Sequence, residues 1–297
     1  MNQLKTYSHK QNHFITDFGI LVKFKLSLMV VFSSLISYFI LCGGIVNWTI
    51  FSLLTIGGLS ITFAANALNQ ALERDYDKLM ERTALRPVAD GRMNLSMAVL
   101  ISGIFCCIGV ISLAMINPSS AVFGMLSFII YAFVYTPLKR YSTLAIPVGA
   151  IPGALPVLIA GFAAQGTVTI ESFSLFGIQY LWQFPHFWAI AWLAHNDYTR
   201  AGFKLIKHND GRPDPSYGLY SMCYAVLGII FILPFMYKGD MSVIIFSFLV
   251  ISMLIYAWFG WKLYKENDRN SAKRLMFCSI IYLPVVLCLL LINNWIP

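Results

Sequence analysis

Residues 26–72 decide the fold, and they read LSLMVVFSSLISYFILCGGIVNWTIFSLLTIGGLSITFAANALNQAL without a single Asp, Glu, Lys or Arg. A helix that crosses the hydrocarbon core of a bilayer needs about 20 apolar residues. This run of 47 residues is long enough for two such helices, and Cys42-Gly43-Gly44 within it is a turn signal. We therefore predict two membrane-spanning helices joined by a short turn.

Further stretches of the chain also lack charged residues. They cover 93–138, 141–170, 172–196, 215–237, 241–261 and 275–297. The first of them is long enough for two helices and divides at Asn117-Pro118-Ser119-Ser120, another turn signal. Two pairs and five single spans make nine. We predict an all-α polytopic membrane protein with nine transmembrane helices, forming a single domain over 1–297.

The composition and the distribution of charge support the same class. Hydrophobic residues make up 58% of the chain and charged residues 11%, whereas a soluble domain has about 25% charged residues. With the N-terminus in the cytoplasm, 20 of the 21 Lys and Arg residues lie on the inner side and only Lys238 lies outside, as the positive-inside rule requires. The net charge of +8 therefore indicates contact with anionic membrane lipid and gives no reason to expect nucleic acid.

An acidic cluster follows the second predicted span. Glu73, Asp75, Asp77 and Glu81 fall within nine residues. No Gly or Pro interrupts 66–86, so we predict that the helix continues to about Arg86, where the following proline stops it.

Asn69, Glu73 and Asp77 are spaced four residues apart and should line one helical face. Two carboxylates and an amide offer the oxygen ligands that Mg²⁺ prefers when it binds phosphate groups. Arg82 and Arg86 could then neutralise phosphate oxygens directly. The alternative is a solvated array of salt bridges, although the like-charged pair of Glu73 and Asp77 does not suit one.

Two later segments repeat the theme. Asp197 is the only acid in 182–202 and has Asn196 beside it, and Lys204 follows. If this segment faces the first cluster, both would border one inner-side site, but the sequence does not show that they are neighbours. Lys139 and Arg140 lie on a short inner turn, where they could meet phosphate or a porphyrin propionate, or could only anchor the turn.

His186 and His195 have two interpretations. A histidine near the end of a span is often an interfacial hydrogen-bonding residue. However, His186 lies within a predicted span among Phe184, Phe187 and Trp188, and ionisable groups inside the membrane are functional candidates. An aromatic pocket with an imidazole would suit a flat macrocycle, and imidazole is a common ligand of haem iron.

These motifs together resemble the UbiA-type intramembrane prenyltransferases, and in particular the branch that farnesylates protohaem IX. The resemblance is carried by Asn69-x3-Glu73-x3-Asp77, by Asp77-x2-Met80-x-Arg82-Thr83-x2-Arg86-Pro87, by Tyr135-Thr136 with Leu138-Lys139-Arg140, by Gly149 and Gly153, and by Gln183-Phe184-Pro185-His186-Phe187-Trp188 leading to Asp197-Tyr198. Glu73 and Asn196 depart from it, since Asp is common at both positions.

The resemblance implies a helical bundle around a central cavity, with farnesyl diphosphate and haem b as substrates and haem o and diphosphate as products. It implies that Mg²⁺ binds the catalytic residues, which are Asn69, Glu73, Asp77 and Asp197. The substrate-binding residues that we expect are Arg82, Arg86, Lys139, Arg140, His186, Tyr198 and Lys204. We also expect a place in the cell (inner) membrane and a product that supplies haem A synthase or terminal oxidase assembly.

Two alternatives remain open at this point. The first is a prenyltransferase that acts on a quinone precursor; the Pro185-His186-Phe187-Trp188 helix favours haem instead. The second is a haem-binding or transport membrane protein without enzymatic activity. A transporter would be expected to place its charges near the bilayer midplane, whereas the acids here gather at one boundary.

Overall fold

The computed structural model describes residues 14–209, 211–237 and 241–294. The first half contains α1 Phe14–Leu21, α2 Phe24–Leu41, α3 Trp48–Leu72, α4 Arg74–Asp77, α5 Leu95–Ala114, α6 Pro118–Ile129, a π-helical segment Ile130–Tyr135 and α7 Thr136–Leu138. The second half contains α8 Ala145–Gln165, α9 Ile170–Leu193, α10 His195–Arg200, the short antiparallel strands β1 His208–Asn209 and β2 Arg212–Pro213, α11 Ser216–Leu227, a 3-10 segment Gly228–Phe231, α12 Leu233–Tyr237, α13 Val243–Glu266 and α14 Arg269–Asn293.

The prediction of an all-α polytopic membrane protein is confirmed. Within the described residues, eight helices are long and apolar enough to cross a membrane. The remaining predicted span is α9, which has 24 residues and would reach about 36 Å at 1.5 Å per residue. It packs against α8, α11 and α14. The count of nine spans and the cytoplasmic N-terminus stay predictions, and Lys238 lies outside the described residues.

Both predicted breaks in the long apolar runs are turns. Between α2 and α3, Gly43 and Gly44 have φ of 62° and 82°, a backbone conformation that glycine adopts without steric cost. Asn47 then caps α3, because its side chain accepts hydrogen bonds from the first backbone N–H groups of the helix. Asn117 caps α6 in the same way by accepting from the Ser120 N–H.

Helix α8 lies at the centre of the bundle, packed against α2, α6 and α9. Its two internal prolines remove backbone donors, and a neighbouring side chain replaces one of them. Ser127 Oγ donates to the Pro152 carbonyl at 3.2 Å, which Pro156 leaves without its helical partner. A Cβ added at Gly153 would overlap Gln183 Oε1. A larger residue at this position would displace the Gln183 amide where α8 and α9 approach.

The prediction that the α3 helix continues to about Arg86 is wrong. The helix ends at Leu72, one further turn forms α4, and 78–93 consists mainly of turns. This segment folds back because its side chains bind Asp77. Thr83 Oγ1 donates to the Asp77 carbonyl at 3.0 Å, and the Arg86 guanidinium binds the Asp77 carboxylate. The loop therefore closes over the acidic column.

Candidate active site

Asn69, Glu73 and Asp77 form a buried column at the end of α3. The helix break does not disturb their spacing, because Glu73 N–H still donates to the Asn69 carbonyl at 2.9 Å and Asp77 N–H to the Glu73 carbonyl at 2.8 Å. The three residues are 1%, 4% and 0% exposed. A column of buried carboxylates is costly unless each charge is compensated.

Each carboxylate of the column has its own cation. The guanidinium of Arg86 donates to both oxygens of Asp77 at 2.8 Å. Lys139, which is itself buried, forms an ion pair with Glu73. Lys139 reaches Glu73 from the turn after α7, so the turn that carries Lys139 and Arg140 meets the column.

The amide of Asn69 is fixed from two sides. Its Nδ2 donates to Thr136 Oγ1 at 3.1 Å, and Thr136 Oγ1 donates to the Tyr131 carbonyl at 2.8 Å across the π-helical segment. Its Oδ1 accepts from Lys23 Nζ at 3.1 Å. From the sequence, Lys23 is only one of the inner-side charges, and nothing in the neighbouring residues distinguishes it from Lys25.

Burial and neighbouring charges act in opposite directions on the column. Burial raises the pKa of the Asp77 carboxyl above its usual range, and the Arg86 charge opposes that shift. Burial also holds the pKa of Lys23 well below its usual range, and the charges of Arg86 and Lys139 lower it further. Charges of both signs are therefore crowded together in a region with little water.

The segment that begins at α10 lies against the loop after α3, which the sequence could not show. We call this loop the first segment and the segment from α10 to Lys204 the second segment. Arg82 donates to the Tyr198 hydroxyl at 3.2 Å, with its guanidinium carbon 5.8 Å from the centre of that ring. Lys204 N–H donates to the Lys139 carbonyl at 2.6 Å. The segments that carry the predicted substrate-binding residues Arg82, Lys139, Tyr198 and Lys204 are thus brought together.

Asp197 forms its ion pair outside the column, with Arg200. It lies on α10, half-buried, with an oxygen 3.6 Å from a guanidinium nitrogen of Arg200. In the part of the chain that the structure describes, no group of three or more His, Cys, Asp and Glu side chains is placed to hold a metal ion. The available donor set is two carboxylates and the Asn69 amide oxygen. Such oxygen donors fit Mg²⁺, which commonly keeps water and phosphate oxygens as its other ligands.

A cavity of 590 Å³ lies between the turn after α7 and the segment that follows α9. Its described lining includes Tyr198, Lys204, Lys207, His195 and His208, and none of the lining residues is an acid. Burial lowers the pKa of His195, and the nearby His208 lowers it further. The lysines therefore provide the fixed positive charge of this cavity.

His186 and Arg140 lie apart from the column. His186 Nδ1 is 2.7 Å from Ser279 Oγ on α14, and its ring stacks on Trp182 with a centroid distance of 5.1 Å. This contact engages only Nδ1 of the imidazole, and the role of His186 as a haem ligand stays a prediction. Arg140 is exposed, with its guanidinium carbon 4.5 Å from the centre of the Tyr76 ring.

Comparisons with known proteins identify a family and similar relatives. The family described as UbiA prenyltransferase matches residues 30–281. The protoheme IX farnesyltransferase of Cytophaga hutchinsonii is 41% identical over 271 residues, which cover 90% of this chain and 93% of that protein.

Solved structures show the same fold. A structure from work on digeranylgeranylglyceryl phosphate synthase in membranes superposes with a TM-score of 0.77 at 15% identity, covering 94% of this chain and 98% of that one. A UbiA homolog from Archaeoglobus fulgidus, bound to DMAPP and Mg²⁺, gives 0.67 at 12% identity, covering 92% and 99%. At such identities the likeness concerns the fold alone.

Proposed function

The chain belongs to the UbiA prenyltransferase family, and we propose that it transfers the farnesyl group of farnesyl diphosphate to a vinyl group of haem b, giving haem o and diphosphate. It is an integral membrane enzyme. The observation that carries the proposal is the buried column of Asn69, Glu73 and Asp77, with Lys139 and Arg86 paired to its carboxylates. Acids and bases packed together at one boundary suit a diphosphate whose isoprenoid tail lies in the membrane.

Asn69, Glu73 and Asp77 would hold Mg²⁺ in this proposal, with Asp197 as a further candidate ligand from the facing segment. The bound ion would neutralise the negative charge that develops on the departing diphosphate. Support comes from the oxygen donors of the column and from the Archaeoglobus homolog, which was solved with Mg²⁺. Lys139, Arg86 and Arg82 would donate charge-assisted hydrogen bonds to the phosphate oxygens.

The chemistry requires no nucleophilic side chain. The bond between the allylic carbon and the diphosphate oxygen breaks, and its electron pair leaves with diphosphate. The vinyl group of haem then supplies the electron pair of the new carbon–carbon bond. Water adds to the cation left on the vinyl-derived carbon, and one of its protons goes to solvent.

Aromatic rings next to the column suit a carbocation. The centres of the Tyr135 and Phe203 rings lie 4.9 and 5.3 Å from Lys139 Nζ. Their faces would stabilise positive charge, and their bulk would keep water from the cation before the acceptor reaches it.

The acceptor would be held on the side of the second segment. Tyr198 and Lys204 line a cavity with no acid in its described lining, which suits the anionic propionate edge of a porphyrin. Arg140, exposed on the adjoining turn, would extend that positive surface, and His186 stays a candidate iron ligand through Nε2, because its contact with Ser279 uses Nδ1. Supply of haem o to haem A synthase or to a terminal oxidase is part of the same proposal.

The test is to incubate the purified protein in detergent with haem b, farnesyl diphosphate and Mg²⁺, and to analyse the porphyrins by mass spectrometry. We expect a product that has gained a farnesyl group and a hydroxyl group, and we expect EDTA to abolish it. Prenylation of an aromatic acid or a quinone precursor, with haem unchanged, would refute the acceptor. If no acceptor reacts and no diphosphate is released, the binding or transport alternative is favoured.

A further inference from the structure

Lys23 lies at the junction of α1 and α2 in an unusual backbone conformation. Its φ of 47° and ψ of 54° are left-handed, and within the described residues only Asn267 shares a positive φ among non-glycine residues. Asparagine tolerates this region because its short side chain can bind the local backbone, whereas lysine has no such compensation. Something other than local preference must hold Lys23 there.

Side-chain amides of α3 hold the junction in place. Gln70 Nε2 donates to the carbonyls of Ile20 at 2.8 Å and Leu21 at 3.0 Å. Asn66 Nδ2 donates to the Val22 carbonyl at 3.3 Å. These amides add donors to the carbonyls where the helix breaks, of which Ile20 and Val22 also accept from the Lys23 N–H and the Ser27 hydroxyl, and they come from residues flanking Asn69. The strained turn and the acidic column are therefore built on the same turns of α3.

A second contact fixes α1 against the first inner loop. Arg92 forms a salt bridge with Asp17 at 3.0 Å and donates to the Leu85 carbonyl at 2.9 Å. Asp17 is buried. The Asp17 salt bridge and the amide contacts from α3 thus hold α1 and its junction in place, and the Lys23 side chain extends toward Asn69.

The ammonium group of Lys23 has neutral partners. Its hydrogen-bond acceptors are Asn69 Oδ1 at 3.1 Å and the Tyr131 hydroxyl at 3.5 Å. The nearby carboxylates are already paired, Glu73 with Lys139 and Asp77 with Arg86.

The site thus has three basic side chains for two carboxylates. Burial disfavours the charged form of an amine, and an anion bound beside Lys23 would stabilise that form. Lys25 differs, because it lies two residues away with its side chain exposed and fits the usual role of an inner-side lysine. A basic group that faces the column through neutral acceptors fits a residue that binds an anion there.

We propose that Lys23 is a substrate-binding residue whose ammonium group binds the diphosphate of the isoprenoid donor, and which also orients the Asn69 amide. The proposal rests on the proposed function for the identity of the anion. It adds a ligand from the α1–α2 junction to a site otherwise built from the two facing inner segments. It is independent of the acceptor, so it can stand even if the acceptor is not haem.

The experiment measures binding of inorganic diphosphate and of a non-hydrolysable farnesyl thiolodiphosphate to the full chain in detergent, by isothermal titration calorimetry. A hydrogen bond to a charged group contributes enough that its loss should weaken binding about 10- to 100-fold. We expect this loss in Lys23→Met, with and without Mg²⁺. Lys25→Met is the matched control and should bind as the unaltered protein does.

Lys23→Asn guards against a mere failure to fold, since asparagine accepts the left-handed conformation while removing the charge. We expect this variant to melt at or above the temperature of the unaltered protein and still to lose diphosphate affinity. Unchanged affinity in either Lys23 variant would overturn the proposal. Normal diphosphate binding together with no farnesylation of haem would instead count against the proposed acceptor alone.

Discussion

The loop after α3 and the facing segment that begins at α10 both carry acids and bases. They differ in how deeply these charged side chains are buried. In the first, Asp77 is fully buried and is bound by Arg86 through both oxygens. In the second, Arg200 reaches across to Glu81 with the two side chains 53% and 80% exposed. Breaking a buried pair by removing one partner costs about 3–5 kcal/mol, whereas an exposed pair contributes about 0–1 kcal/mol.

The difference separates binding machinery from docking contacts. Water already screens the exposed pair of Glu81 and Arg200 between the segments, so these charges would contribute little to binding a substrate. The pairs of the column are enclosed, and their cations face the same space as their carboxylates. A metal and a diphosphate entering together could exchange partners with both members of each pair, which keeps every buried charge compensated. The first segment should therefore account for most of the catalytic effect.

The largest effect should come from Asp77→Asn. The variant removes a buried carboxylate and leaves Arg86 without its partner, so we expect kcat/KM for farnesyl transfer to fall by about 10²–10³-fold, the size seen when one electrostatic contact to a transition state is lost. Asp75→Asn is the matched control. Asp75 is 68% exposed and bound only to Arg74 and Lys78, so activity should stay within about twofold. Equal losses of activity in the two variants would contradict the view that the buried carboxylate of Asp77 is catalytic and the exposed one of Asp75 is not.

A smaller loss should follow from Lys139→Met, with Arg140→Met as its control on the same turn. Lys139 is buried and paired with Glu73, and we expect diphosphate binding to weaken about 10- to 100-fold. Arg140 is exposed over the Tyr76 ring, and its removal should change diphosphate affinity about threefold at most. Calorimetric titration with inorganic diphosphate measures the affinity of both variants. A larger loss of affinity in Arg140→Met than in Lys139→Met would contradict the assignment of Lys139 as the diphosphate ligand.

Asp197→Asn examines whether the second segment contributes a metal ligand. Because Asp197 is half-buried and paired with Arg200, we expect a moderate effect, about a tenfold rise in the Mg²⁺ concentration needed for half-maximal rate. Asn196→Ala, at the exposed neighbouring position, should leave that concentration unchanged. No response in Asp197→Asn would confine the metal ligands to the column.

Local spacing explains what the sequence could predict. Asn69, Glu73 and Asp77 were expected on one face because residues four apart lie above one another on a helix. The break after Leu72 leaves this arrangement intact, since the backbone hydrogen bonds that link the three residues are still formed. The helix ends near Gly43 and Asn117 were also predictable, because turns and caps depend on a few neighbouring residues.

Contacts between distant segments explain what the sequence could not predict. Lys23 and Asn69 are 46 residues apart, and only the packing of the bundle brings them together. The helix was expected to reach Arg86 because 66–86 contains no Gly or Pro, but the absence of a helix breaker cannot reveal that Thr83 and Arg86 bind Asp77 more favourably in a folded-back loop. The residues next to Lys23 in the sequence also do not indicate that its side chain reaches the column.

The smallest predicted effect concerns the exposed contact between the segments. In a double-mutant cycle of Glu81→Gln and Arg200→Gln, we expect a coupling free energy below about 1 kcal/mol, because both side chains are largely exposed and salt screens their interaction. Thermal unfolding in detergent at low and high salt measures it, and the coupling should shrink as salt is added. A coupling as large as that of a buried pair would mean that the two segments are held together by charge, and that the second segment is more than a docking surface for the first.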